Sequence, residues 1–396
     1  MVSEIWLSLP LWLQGLCIGF VSLWLVQIIY LFVVRMRLLW RMRQDSLHRI
    51  PVTATLPPIS VVVYAHNQSN ELMQNLPLLL DSDYPDFEVI VVDDGSTDDT
   101  DMVLRRMDQR SEHFFHTTVA ERIRTVSHHK LAMMLGVKAA HNEIVLLTQA
   151  QCMPATPRWL QSVGRLFVDK VDAVIGPVVY ESRSGVLNLF RQWDFFDRML
   201  SSMSITLSVG TYGGWSYNMA FRKEVFYADH NRALQRHLGL HPGEDDLFLT
   251  EVSTGDNVTV ACGADSVVVV KQSADNYDWK NERLTRAFTH GFYRTLPRMA
   301  YRLDVITRVL CILSGLGVAV MAGLMQSWWV MGVAIGLLLI YAVTYVLIPY
   351  FTAQRLQVHR YRLVPLAYVL YLPLVDLYYK VMAAIKSQQF YVSRID

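Results

Sequence analysis

A chain of 396 residues has room for two or three domains, and at 52% hydrophobic and 18% charged it is too apolar for an ordinary soluble protein. A formal net charge of +1 excludes the basic footprint of a nucleic-acid binder, and the basic residues sit beside apolar runs instead. Four scattered cysteines give neither paired zinc spacing nor a disulfide framework.

Residues 11–34 form an apolar run of roughly the length that crosses a bilayer core. Glu4 precedes it and no basic residue does, which argues against a cleaved signal peptide. Arg35, Arg37, Arg41 and Arg43 follow, so the positive-inside bias puts the N-terminus outside and the next domain in the cytoplasm.

In that domain "ISVVVY" (59–64) reads as a buried strand ending in the polar loop "AHNQSNE". A helix is expected over 70–80. A second strand, within "FEVIVVDDGSTDDT", ends at Asp93. Residues 100–107 read as a helix, "RIRTVS" (122–127) as a short strand, 130–140 as a helix and 143–148 as a strand. Strands alternating with helices, and apolar on both faces, predict an α/β fold with a mainly parallel sheet flanked by helices. Ligands of such folds bind beyond the carboxyl ends of the strands, where the loops 65–71, 93–99 and 149–151 fall. The aromatic helix expected over 188–203 has two readings, packing on the sheet or lying against a membrane.

Two further apolar runs, 305–325 and 328–350, are flanked by Arg294, Arg298 and Arg302 before and by Arg355, His359, Arg360 and Arg362 after. A hairpin that leaves the cytoplasm and returns satisfies both clusters. Residues 363–385 are apolar but carry Pro365, Pro373, Asp376 and Lys380. A charge at mid-membrane is costly, so a helix in the interface is preferred to a third C-terminal span. The domains read as an N-terminal anchor (1–43), a cytoplasmic domain (44–302) and a C-terminal membrane region (303–396).

Several stretches resemble an inverting family-two glycosyltransferase with the A-type nucleotide-sugar-binding fold. They are "ISVVVYAHN", "DYPDFEVIVVDDGSTDDT", "HHKLAMMLGVKAA", "GGWSYNMAFRKEVF" and "HPGEDDLFL", which together cover about residues 58–291. The membrane arrangement resembles bacterial members that extend surface glycans or glycolipids. The resemblance implies a nucleotide-sugar donor, held by Asp93 and Asp94 through its base or ribose. The turn also reads as an N-cap, which accounts for Ser96 to Asp99 better than for the two acids at the strand end. Lys130 opens a helix, where its ammonium and the helix N-terminus suit a diphosphate, with Arg122, Arg124, His128 and His129 nearby. "GEDD" supplies Glu244, Asp245 and Asp246. Aligned with the family's acidic motif, Asp245 is the base that deprotonates the acceptor, and its neighbours orient acceptor or helix. Trp215 and Asn218 are acceptor-side candidates, with core packing of Trp215 an equal alternative. Arg283 and Arg286 stand where the family has Q-x-x-R-W. Only the second arginine keeps its place there, which points to adding one sugar at a time.

"LLTQAQCMP" occupies the position of the family's D-x-D, with Gln149 and Gln151 where two acids would hold Mn²⁺ or Mg²⁺. Neutral amides are poor ligands for hard cations. No metal is expected to be required: Lys130 with Arg122, Arg124 or the arginines near Arg286 would neutralise the diphosphate, helped by hydrogen bonds from Gln149 and Gln151. The expected partners are a nucleotide-sugar donor, a glycan or lipid-linked acceptor, the membrane and glycan-assembly proteins. The expected location is the inner membrane, multi-pass, with the catalytic domain cytoplasmic. The alternative is a catalytically inactive, glycosyltransferase-like subunit of a glycan-assembly complex.

Overall fold

The computed structural model describes residues 9–119, 127–228, 237, 239–271, 277–358 and 364–391. Its centre is a seven-stranded sheet of order β3-β2-β1-β4-β8-β6-β9. The strands are β1 (Ile59–Ala65), β2 (Phe87–Asp93), β3 (Phe114–Thr118), β4 (Ile144–Gln149), β6 (Ala173–Ile175), β8 (Met219–Arg222) and β9 (Val258–Val260). Pairing is parallel except where β8 runs against β4 and β6. A smaller sheet, β5-β10-β7, joins Cys152–Pro154, Val268–Val270 and Val178–Tyr180.

The strands bury both faces, which is why they read as unbroken apolar runs. Val61 and Val63 of β1, with Val89 and Val91 of β2, face one core, while Val62, Ile90 and Val92 face the other. Helices α3 (Ser69–Leu80), α4 (Thr100–Asp108) and α5 (His128–Ala139) follow β1, β2 and β3. At Gly136 of α5 an added Cβ would come 2.3 Å from Val62, so glycine sets how closely this helix approaches the sheet. After β3 the chain crosses back to place β4 on the far side of β1. This order reversal opens a crevice at the carboxyl ends of β1 and β4, where Tyr64 and Gln149 lie side by side.

The expected strand at 122–127 falls, apart from Ser127, outside the described residues, as do Arg122 and Arg124. The edge strand is instead β3, where the alternation is weak. Short helices α6 (Trp159–Gly164), α8 (Lys223–Tyr227) and α9 (Asp246–Val252) fill the remaining connections. The aromatic helix is α7 (Val186–Thr206). Trp193, Phe195, Phe196, Met199 and Met203 are buried on it, so the packing reading holds and the membrane reading does not.

Among the described residues three helices are long and apolar enough to cross a membrane. They are Leu11–Ser46, Thr295–Leu324 and Trp328–Arg355. The first comprises α1 (Leu11–Tyr30), a π-helical turn at Leu31–Arg35 and α2 (Arg37–Ser46). With α11 (Thr295–Leu324) and α12 (Trp328–Arg355) it forms a bundle in which Phe20 packs against Gly315 and Val318. Helices α2 and α11 run unbroken through the boundaries expected at 43 and 302. Arg35 ties the bundle to the sheet domain, reaching Asp197 of α7 at 2.6 Å and Asp304 of α11 at 3.5 Å. Asp304 is also paired with Arg308, which donates to the Tyr345 hydroxyl at 2.8 Å. Buried charges persist when paired and hydrogen-bonded, as these are.

Helix α13 (Val364–Ile385) buries Tyr368, Leu372, Val375, Tyr379 and Ala383 at helical spacing against α7 and α10 (Tyr277–Thr289). Its other side exposes Leu374, Leu377, Tyr378, Val381 and Ile385.

Candidate active site

Beyond the ends of β1 and β4 lies a cleft of about 730 Å³, within the ~300–1,000 Å³ of small-molecule sites. Tyr64, Gln68, His129, Gln149, Gln151, Ser216, Tyr217, Glu244, Asp245, Glu282 and Arg286 line it.

Asp245 caps α9 and is buried. One oxygen accepts from the Asp246 backbone N–H at 2.6 Å, the other from the Ser216 N–H at 3.1 Å and from Arg286 at 2.8 Å. Burial pushes its pKa up to about 7, with Asp246 and Glu244 adding to the rise and Arg286 opposing it. A carboxylate of that pKa is suited to act as a base near neutrality. Arg286 also reaches Asp246 at 3.1 Å and lies 5.1 Å from the Trp215 ring centre.

The acids around Asp245 have different surroundings. Asp246 is buried and accepts from Thr289 and Tyr293, each at 2.6 Å, so it holds α9 to α10 and the segment after it. Glu244 pairs with His129 at 2.9 Å. Burial opposes charge on both, but their mutual attraction dominates, raising the His129 pKa and lowering that of Glu244.

Gln149 and Gln151 belong to a run of amides. Gln68 Nε2 donates to Gln151 Oε1 at 2.7 Å, and Gln151 Nε2 donates to Gln149 Oε1 at 2.8 Å. Gln149 Nε2 then donates to the Ser216 hydroxyl at 3.0 Å. Both amide oxygens at the D-x-D position are thus occupied as acceptors. Among the described residues no group of three His, Cys, Asp or Glu side chains is placed to hold a metal ion. A divalent cation of the kind the resemblance implies would meet two neutral amide oxygens here, both already accepting hydrogen bonds, where hard cations favour carboxylates.

Asp93 ends β2 as expected, and Asp94 is the first residue of the turn after it. Asp93 accepts from the Ser96 N–H at 3.1 Å. Asp94 accepts from Tyr64, which lines the cleft, at 2.7 Å and meets His128 at 2.8 Å. Lys130 departs from its expected direction. It is buried, and its ammonium donates to the carbonyls of His237, Leu240 and Pro242 at 2.6, 2.6 and 2.7 Å. Burial lowers its pKa to about 8 against the pull of Glu244, Asp246 and Asp245. It anchors the segment leading to the acidic motif, and a contact with a diphosphate would cost it those bonds.

The acceptor-side residues are also relocated. Asn218 is buried, with its Nδ2 donating to the carbonyls of Pro177 and Ser266 at 3.0 and 2.8 Å and its Oδ1 accepting from Trp159 at 3.1 Å. An added Cβ at Gly176 would come 2.1 Å from it, so Asn218 packs against backbone and makes no approach to an acceptor. Trp215 is buried beneath Arg286 and donates to Glu282 at 3.3 Å, so its packing alternative holds. Within "GGWSYN" the cleft contacts come from Ser216 and Tyr217. Arg283 lies outside the cleft, bound to Asp194 at 2.5 Å and Asp376 at 2.7 Å. Sequence reading missed Tyr64, Gln68, Ser216 and Glu282. It also missed Asp194 and Asp197, although two acids on an apolar helix signal buried ion partners.

Residues 60–228 match the sequence model of Glycosyl transferase family 2. No curated protein matches the chain. Among solved structures, the mannosyltransferase PcManGT from Pyrobaculum calidifontis, in complex with GDP-Man and Mn²⁺, is similar at 20% identity and a TM-score of 0.50, covering 94% of this chain and 98% of that one. TarS 1–349 of S. aureus with UDP gives 17% identity and a TM-score of 0.42, over 86% and 94% of the two chains. The glucosyl-3-phosphoglycerate synthase of Mycobacterium tuberculosis gives 16% and 0.37, over 58% and 78%. The sheet order, the helices on both faces and the likeness to the Pyrobaculum calidifontis structure establish the A-type glycosyltransferase fold. The family match shows that the first part of the sheet domain, residues 60–228, is similar to glycosyltransferase domains.

Proposed function

We propose that this protein transfers a sugar from a nucleotide-sugar donor to a glycan or lipid-linked acceptor at the cytoplasmic face of the inner membrane, with inversion and one sugar at a time. Asp245 takes the proton from an acceptor hydroxyl as that oxygen bonds to the anomeric carbon and the nucleoside diphosphate leaves. A single base serves this reaction, since no covalent intermediate forms. The observation that carries the reading is the buried Asp245 carboxylate at the cleft wall, its ionised form held by two backbone N–H groups and Arg286.

The reading includes transfer without a divalent metal. Gln149 and Gln151 line the cleft as neutral donors, and Arg286 and His129, each paired with an acid of the motif, line it as well. Calorimetry with UDP- and GDP-linked sugars on the detergent-purified chain tests this. Wild-type affinity is expected to be equal, within about two-fold, in EDTA and in Mn²⁺. The double variant Gln149→Asp, Gln151→Asp is expected to lose ten-fold or more in EDTA, because two carboxylates then face the diphosphate. Like charges about 4 Å apart repel by up to ~4 kcal/mol at an effective dielectric of about 20. Wild-type binding that appears only with Mn²⁺ would overturn the metal-free reading.

A second reading, an inactive subunit of a glycan-assembly complex, draws support from the commitments of Lys130 and the two glutamines to protein partners. It requires that no donor binds in either buffer. In both readings the exposed apolar side of α13 rests in the membrane interface.

A further inference from the structure

Arg286 also lines a second cavity, of about 80 Å³, where α7, α10, α11 and α13 come together. That is far below the ~300–1,000 Å³ of sites that enclose whole small molecules, so it suits a single charged group. His290 lies in its wall, buried and boxed by the rings of Tyr212, Tyr293 and Tyr301 at 5.8, 5.6 and 5.6 Å. Its Nε2 has no hydrogen-bond partner among the described residues. A buried polar nitrogen left unpaired is destabilising, so this one is poised for a ligand.

The charge around the cavity is uneven. The acid in its wall, Asp376, is taken by Arg283 and Tyr301, and Arg286 is matched by Asp245 and Asp246. Three further cations act on His290, namely Lys380 from α13 and Arg302 and Arg298 from α11. Burial above all, with these charges adding to it, pushes its pKa down to about 3. Among the described residues none of these three makes an ion pair, and Lys380 and Arg302 are exposed. Lys380 lines the cavity mouth, while Arg302 and Arg298, the latter donating to the Gly291 carbonyl, add positive charge near His290.

The position of that mouth indicates what carries the matching negative charge. Arg298 and Arg302 occupy the first turns of α11, just before it becomes a candidate membrane span. Exposed apolar side chains of α11 and of α13 flank them and Lys380. Basic pockets between helices at the cytoplasmic membrane surface suit phosphate groups of lipids, whose chains stay against the apolar helix faces.

We propose that this cavity seats the phosphate of a membrane-embedded lipid acceptor, with His290, Lys380, Arg302 and Arg298 as its partners. The attached sugar then approaches Asp245 past Arg286, the residue shared by the two spaces. The phosphate anchors and does not react. The inference rests on the sugar-transfer reading and gives its acceptor a chemical class.

The test uses the full chain in maltoside micelles and four probes, namely a long-chain isoprenyl monophosphate, the same isoprenol without phosphate, phosphatidic acid and inorganic phosphate. The isoprenyl phosphate is expected to bind at least ten-fold more tightly than any of the others. Lys380→Gln with Arg302→Gln, two exposed positions that the fold tolerates, is expected to weaken it ten-fold or more while nucleotide-sugar affinity stays unchanged. Equal binding of the isoprenol, or an unaffected double variant, overturns the site. Equal binding of inorganic phosphate or of phosphatidic acid overturns its assignment to a lipid acceptor. Donor affinity on the same samples separates the two readings. Donor binding without lipid-phosphate binding refutes this inference alone, whereas the reverse result refutes the donor reading.

Discussion

Asp245→Asn is expected to lower transfer by about 10²–10⁴-fold, the range that a positioned general base contributes, with donor affinity changed far less. The substitution preserves shape and removes the site for the proton. Wild-type activity is expected to rise with pH through about 7, because the base works only when ionised and burial holds its pKa there. Arg286 favours the ionised form, so Arg286→Gln is expected to shift that acid limb to higher pH. The asparagine has a structural cost as well. Every neighbour of the carboxylate is a donor, from the Asp246 and Ser216 backbones to Arg286, so an amide nitrogen meets a donor in either orientation. A loss of ~1–3 kcal/mol in stability should accompany the loss of rate. Melting curves and calorimetry on the same sample separate the two effects. A variant that folds, binds donor and still transfers at more than a tenth of the wild-type rate would exclude Asp245 as the base. An acid limb below pH 5 would mean that its hydrogen bonds outweigh its burial.

The sheet was legible in the sequence where a strand buries both faces. "FEVIVVD" is apolar without alternation because its residues divide between two cores, and the polar turn after it marks the strand's carboxyl end. The cleft followed from topology, since loops after successive parallel strands converge at one edge. Side-chain directions were less accessible. Lys130 sits on the expected helix, but its ammonium is captured by carbonyls more than a hundred positions away, and no local pattern encodes that contact. Asn218 fails for the same reason, since the absence of a side chain at Gly176 makes room for it. The amide run from Gln68 to Ser216 joins three separate loops, so the two glutamines could be read as replaced ligands but not as hydrogen-bonded neighbours. Arg283 and Arg286, three positions apart, take different roles because α10 carries one to α13 and the other to the cleft.

That divergence sets the second large expectation, that Arg283→Met will cost about 3–5 kcal/mol, the usual consequence of removing one partner from a buried ion pair. Its guanidinium is buried, joins Asp194 of α7 and Asp376 of α13, and donates to the Tyr368 hydroxyl at 3.1 Å. After substitution Asp194 keeps Arg198 and Trp279, but Asp376 is left with the Tyr301 hydroxyl alone among these partners. The unbalanced charge is thus concentrated on α13, and hydrogen exchange should speed up there before it does in the sheet. Adding Asp376→Leu to Arg283→Met should recover much of the loss, because an apolar replacement for a buried pair is often neutral or stabilising. A melting temperature unchanged by Arg283→Met would show that α13 is held by its apolar contacts. A uniform loss of protection across the sheet would place the arginine's role within the central domain. Protection lost first in α13 and restored by the second substitution would identify Arg283 as the link between the sheet domain and its C-terminal helix, leaving Arg286 as the arginine of the reaction.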